Sequence, residues 1–266
     1  MSDELHTEDP LHTVERYCMF VGYPRSGHSL VGALLNAHPE LLIANELDAL
    51  SRVREGIDRE ALFAEILAAD RDFAARGRRH MGFEYAVPGA WQGRFSTLRV
   101  IGDKKGGRSS WWLHDEPELL PKLRALVGLP LRFVHVVRSP WDNIATIARR
   151  HALSLDEAIA WYFDTCAAVA GIFERIPEEE RHTLHHEELV ADPKGQLAAL
   201  ARFLEVSVDE GWLEACAAVV RPAVNRSRAE RRWSEAQRRE VERRAVGFVW
   251  LRPEALGETT DGASDA

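Results

Sequence analysis

The chemistry-bearing part of the sequence begins at Gly22-Tyr23-Pro24-Arg25-Ser26-Gly27-His28-Ser29. Two glycines five positions apart, followed by a small polar residue, make a pattern that cradles phosphate when a strand enters it and a helix leaves it. Glycine lets the backbone curl so that several N–H groups point into one concavity. A helix starting near Ser29 adds the positive end of its dipole. A plain turn between any strand and any helix is the alternative reading. The lysine that ordinarily precedes the hydroxyl residue is replaced by His28, which argues against an ATPase or GTPase, because that lysine steadies the outer phosphates. A cation stands three positions earlier, at Arg25.

These residues need a framework, and the hydrophobic pattern supplies one. Residues 17–21, 98–101 and 131–137 are short apolar runs that read as strands buried on both faces of a parallel sheet. Helical patterns cover residues 29–37, 60–76, 140–150, 156–175 and 193–204, with Pro140 placed as a first-turn proline. Alternating strands and helices predict an α/β layered fold. With 266 residues and no internal repeat, one domain over residues 17–250 is the simplest division. Residues 1–16 read as a flexible acidic amino terminus and 251–266 as a disordered tail.

Composition removes several function classes. The net charge is −8 with 45% hydrophobic residues, which disfavours nucleic-acid binding and fits an ordinary globular chain. Cys18, Cys166 and Cys216 are too few and too far apart for a disulfide framework or a zinc ribbon. The start shows no signal peptide and no window is apolar enough for a membrane span, so a cytoplasmic protein is expected. The pair His185-His186 has no third ligand at metal-binding spacing.

Residues 20–30, with Leu34-Leu35-Asn36-Ala37-His38-Pro39 behind them, resemble the 5′-phosphosulfate loop of the PAPS-dependent sulfotransferases. The arginine form of the loop is similar to that of protein-tyrosine sulfotransferases and many bacterial relatives. The resemblance implies a three-layer P-loop-like fold, a central parallel sheet flanked by helices. It implies PAPS as sulfuryl donor, PAP as by-product, and no metal. It places Arg25, Ser26, Gly27, His28, Ser29 and Leu30 on the cofactor, with His28 departing from the usual threonine. In the resembled family an arginine and a serine eight positions later hold the 3′-phosphate, and Arg138 and Thr146 match that spacing. A guanidinium can fork two phosphate oxygens and a hydroxyl can donate a third bond. Asp142 is expected to steady the helix start. The segment from His185 through Pro193 to Leu204 resembles a structural signature of the family, with His186 where an aromatic residue is usual.

Three further expectations follow from the resemblance. The stretch from Arg221 to Arg244 holds nine arginines against four glutamates. Its Arg226 and Arg228 are candidates for the basic loop that closes the nucleotide site, a solvated helix being the plainer reading. Ile101-Gly102-Asp103-Lys104-Lys105-Gly106 matches the strand-end lysine segment, with Lys104 near cofactor or acceptor. Cytosolic relatives carry a histidine base where this chain has Gly106, so another base is needed. Glu46 is that candidate, as in the glutamate-using branch, with His28 second and Asp103 third. Arg25 would neutralise charge on the leaving oxygen.

The acceptor hydroxyl, on a small molecule, glycan or lipid, is not specified. Trp91, Trp111 and Trp112 lie in the stretch expected to form its wall. A P-loop kinase-like phosphotransferase and a catalytically silent PAP-binding protein are the competing functions. The oligomeric state has no sequence signature.

Overall fold

The computed structural model describes residues 10–221 and 227–251. Its centre is a five-stranded sheet in the order β2 (Leu41–Asn45), β5 (Val100–Lys104), β1 (Arg16–Val21), β6 (Leu131–Val137), β7 (Arg181–His185). Every neighbouring pair in it is parallel. A two-stranded antiparallel hairpin, β3 (Arg79–His80) with β4 (Phe83–Glu84), stands apart from it.

Parallel strands covered on both faces must be apolar on both faces, and β1 shows how. Cys18 and Phe20 join one buried cluster, whereas Tyr17, Met19 and Val21 join the other. The first cluster packs under α1 (His28–Asn36), α9 (Pro193–Leu204) and α10 (Glu210–Val219). The second packs under α2 (Ala49–Arg54), α3 (Arg59–Ala75) and α5 (Leu119–Val127). Helix-sheet-helix is the three-layer arrangement expected from the sequence. Burial of Phe20, fully inaccessible, stabilises by roughly 2–3 kcal/mol, as for any large apolar side chain taken wholly from water. A third cluster joins α6 (Pro140–His151), α7 (Leu155–Phe173) and α11 (Glu235–Ala245) around Trp141 and Tyr162. Local signals set the helix starts: Ser154 and Glu157 form a capping box, and the Asp192 carboxylate accepts from the Gly195 N–H at 3.0 Å.

The strand expected at 131–137 and the helix expected at 193–204 have those bounds. The strand expected at 98–101 runs instead from Val100 to Lys104. Its apolar run stops at Gly102, but ladders from β1 and β2 on either side carry it two residues further, and Asp103 and Lys104 are buried. Residues 10–13 form a 3₁₀ turn, and Thr13 Oγ1 donates to the Leu98 carbonyl at 2.8 Å, so the stretch before residue 17 is structured from Pro10 onward. No helix among the described residues is long and apolar enough to cross a membrane.

The strand order decides where a site can be. β5, β1 and β6 are adjacent and parallel, so their carboxyl ends emerge side by side. Connections from β1 leave toward β2, and later ones return on the β6 side, which opens a crevice at that edge. The loop after Val21, Lys104 at the end of β5, and Arg138 after β6 all stand there.

Candidate active site

The first wall is the loop between β1 and α1. Arg25 has φ 70° and Gly27 φ 109°, both left-handed, so successive peptide N–H groups turn inward. None of the N–H groups of residues 25–29 donates to another described residue. Gly27 offers no side chain to cap α1, so the His28 and Ser29 N–H groups at its start stay open to an incoming anion, while those of Leu30 and Val31 donate to the Gly27 carbonyl at 3.0 and 3.2 Å. The loop is pinned from below. The Ser110 hydroxyl, on α4 (Gly107–Asp115), accepts from the Gly22 N–H at 2.7 Å and donates to the Gly22 carbonyl at 2.8 Å.

His28 lies under this loop, 7% exposed. Its Nε2 is 3.0 Å from the Val21 carbonyl, which can only accept, so Nε2 carries the proton. Nδ1 is 3.0 Å from the Ser26 hydroxyl. Burial pushes its pKa down to about 4, with the Lys104 charge adding to the drop, so the ring is neutral at pH 7. Both nitrogens are engaged within the loop, which suits a brace rather than a base. The ring also explains Gly106. A Cβ there would lie 2.8 Å from His28 Nδ1, and the backbone has φ 50°. The imidazole therefore fills the space a side chain at 106 would need. The two departures from the sulfotransferase pattern, at 28 and 106, are one packing decision.

The second wall is the end of β5. Lys104, 1% exposed, donates from Nζ to Ser29 Oγ at 3.1 Å and to the Glu46 carboxylate. Lys105 Nζ reaches the other Glu46 oxygen at 2.9 Å. Burial acts to raise the Glu46 pKa, but the two lysines outweigh it and hold the carboxyl below its ordinary value. At Lys104 burial wins over Glu46 and the pKa lies below that of a free lysine. Glu46 and Asp48 have φ 68° and 66°, an uncommon conformation for side-chain-bearing residues. Asp103 holds that turn: its carboxylate accepts from the N–H of Leu47 at 3.1 Å and of Ala49 at 2.9 Å. Burial raises its pKa to about 6. Asp103, expected as a third candidate base, is thus spent on positioning Glu46 and does not line the cavity.

The third wall is the start of α6. Arg138 and Thr146 are each 7% exposed and share the cavity with the loop. Thr146 Oγ1 donates to the Asp142 carbonyl at 2.7 Å or to Ser227 Oγ at 3.0 Å. Asp142 stands in the first turn of α6, where its charge suits the helix start, but it makes no capping hydrogen bond. Instead its fully buried carboxylate accepts from the Arg228 N–H at 2.8 Å and from Arg228 Nε at 3.1 Å. Arg228, expected on the cofactor, is therefore turned onto Asp142 and braces α6 from the late basic segment. Arg226 lies outside the described residues.

These walls enclose a cavity of about 700 Å³. Arg25, Gly27, His28, Ser29, Leu30, Glu46, Arg138 and Thr146 line it, and Ser26 and Lys104 lie beneath its surface. The rest of the lining is apolar and aromatic. Met81, Phe83 and Tyr85 come from the hairpin, and Trp111 and Trp112 from α4. Trp112 is held in place: its Nε1 donates to Asp48 at 3.1 Å and the Arg108 guanidinium lies 5.1 Å from its ring centre. Trp91 is 39% exposed and is not part of the lining. Sequence reasoning missed the hairpin wall, because two-residue strands give no periodic signal. It also missed Arg149, Arg150, His151 and Trp161 on the same cavity. Among the described residues no three His, Cys, Asp or Glu side chains converge as metal ligands.

A model of the sulfotransferase family matches residues 19–210, nearly three quarters of the chain. The chain belongs to the sulfotransferase family. No curated protein matches it. Among solved structures, the sulfotransferase domain of the Synechococcus PCC 7002 olefin synthase superposes with TM-score 0.58 at 18% identity, over 88% of this chain and 94% of that one. The sulfotransferase domain from the curacin biosynthetic pathway gives 0.53 at 16%, over 88% and 98%. Mouse sulfotransferase SULT7A1, crystallised with PAP, gives 0.51 at 12%, over 92% and 86%. At such identities the likeness carries the P-loop-like fold, and the family assignment rests on the match of residues 19–210.

Proposed function

We propose that this sulfotransferase moves a sulfuryl group from PAPS to the hydroxyl of an acceptor and releases PAP. The observation that carries the reading is the open row of N–H groups from residue 25 to 29 sharing one cavity with Arg138 and Thr146. That pairing suits a nucleotide with anions at both its 5′ and 3′ ends. Bound PAPS would supply the activated sulfur. The loop N–H groups would hold the 5′-phosphate, and Arg138 and Thr146 the 3′-phosphate.

The chain's own groups then have separable tasks. Arg25 stays cationic, although burial and the charge of Arg150 both lower its pKa, and would offset negative charge growing on the bridging oxygen as the S–O bond breaks. Glu46 would take the acceptor's proton as the new O–S bond forms, while the electron pair of the broken bond stays on the phosphate oxygen. A carboxylate held by two lysines is a weak base. Lys104 already bonds Ser29, so an anion in the loop would draw its ammonium toward that side and leave Glu46 to the acceptor. His28 would brace the loop.

Thermal melting with PAP and with ADP, each without and with magnesium, tests the reading. At ~100-fold excess over the dissociation constant a ligand adds about 2.7 kcal/mol, readily seen as a shift. A metal-independent shift with PAP exceeding that with ADP is expected. A magnesium-dependent shift with ADP and none specific to PAP would instead favour a kinase-like phosphotransferase.

A further inference from the structure

The cavity carries more positive charge than the cofactor's two anionic ends account for. Six arginines and lysines line it against two carboxylates, Glu46 and Asp115. Most are already committed. Lys105 pairs with Glu46, Arg108 with Asp48 at 2.9 Å, and Arg149 with Glu230 at 2.5 Å. Arg25 and Arg138 belong to the sulfuryl-transfer reading. Arg150 is left. It stands in the last turn of α6, one turn past Thr146, and is exposed into the cavity. No carboxylate among the described residues pairs with it.

It shares the cavity with the apolar and aromatic lining. Arg25 and Arg150 line one cavity, and beside the burial that lowers the Arg25 pKa the charge of Arg150 lowers it further. Burial raises the Tyr85 phenol, and the charges of Arg25 and Arg150 both work against that rise. Tyr85, Phe83 and Met81 form the hairpin wall, and Trp111 and Trp112 form the α4 wall. A guanidinium without a carboxylate partner, in a lining that includes aromatic and apolar side chains, is the chemistry of a site that orients a planar or apolar body by one anionic group.

We propose that Arg150 is an anion subsite for the acceptor, so that the sulfated hydroxyl belongs to a molecule bearing a carboxylate or comparable anionic group on an aromatic or apolar frame. This rests on the sulfuryl-transfer reading, which defines which half of the cavity is left for the acceptor. The sulfuryl-transfer reading assigns the loop N–H groups to the 5′-phosphate and Arg138 and Thr146 to the 3′-phosphate, which leaves Arg150, one turn beyond Thr146, for the acceptor.

The test uses the full chain saturated with PAP and titrates it calorimetrically with para-hydroxyphenylacetate and with its methyl ester. The acid is expected to bind at least about tenfold more tightly than the ester, the scale of one charge-assisted pair. Arg150→Gln is expected to reduce that ratio to about one while leaving the PAP melting shift in place. Equal binding of acid and ester overturns the proposal, as does a preference that survives Arg150→Gln, or no saturable binding of the acid. A variant that loses the PAP shift would assign Arg150 to the cofactor and likewise overturn it. If the unmodified protein shows no PAP shift, the sulfuryl-transfer reading itself has failed, which separates the two outcomes.

Discussion

The loop after β1 and the start of α6 both present donors to the same cavity, but they are built from different materials. The first is backbone: unpaired N–H groups, two left-handed residues and no side-chain cap. The second is side chain: Arg138 and Thr146 set among Asp142, Ser227 and Arg228. A backbone site tolerates exchange of the residues that form it, provided the curl is kept. A side-chain site does not, because each donor is one residue deep. His28 in place of threonine is an exchange of the tolerated kind.

The largest effect should expose the one side chain on which the backbone site does depend. Arg25→Ala is expected to lose on the order of 10²–10³ in turnover, the usual loss for one preorganised donor, while most PAP affinity persists. Near-native turnover, once an acceptor is in hand, would remove Arg25 from the mechanism. The second prediction sets the two regions directly against each other. Arg138→Ala should weaken PAP roughly 10–100-fold, the value of a charged hydrogen-bonding group, whereas His28→Thr should change PAP affinity by no more than about threefold. Calorimetric titration of both variants checks this, and equal losses would erase the distinction.

Two smaller effects concern the brace. Gly106→Ala should cost about 1–3 kcal/mol through overpacking and backbone strain, and adding His28→Thr should return the packing share but not the strain. Denaturant melts of the single and double variants measure it, and simple additivity would deny the contact. His28 also predicts a pH dependence. Its folded pKa of about 4 is below the ordinary 6.5, so the unfolded chain takes up the proton first as pH falls. The stability it confers is present above 6.5 and is lost progressively toward 4, amounting to about 2 kcal/mol between pH 8 and 5. His28→Thr should flatten that part of the stability curve, and an unchanged slope would mean that His28 is not the buried neutral group described.

Much of this site could be read from residue order alone, and the reason is local. The glycine loop and Arg138 directly follow a strand, and Thr146 lies in the helix that starts just after, so spacing encodes their placement. Other features depend on contacts across the chain. Lys104 meets Glu46 across 58 positions of sequence, and Asp103 holds the turn at Leu47 across 56. No periodicity announces either. The same holds for Asp142, whose place at the helix start is plain from sequence but whose partner Arg228 is 86 residues away. β2 is only five residues long, and its run blends into the loop after α1, so its place at the sheet edge emerges only when β5 is beside it. The hairpin wall and the Arg150 turn line the part of the cavity where no motif fixes spacing.

The fit of the His28 ring against Gly106 also has a historical side. A descendant that gains a side chain at 106, histidine included, while the imidazole at 28 remains is destabilised at that step, because the new group crowds the ring. The reverse order costs less: loss of the ring at 28 leaves room, and a new residue at 106 then meets only the backbone strain of its φ of 50°. The order of those two changes is thus biased by sterics before any question of catalysis arises.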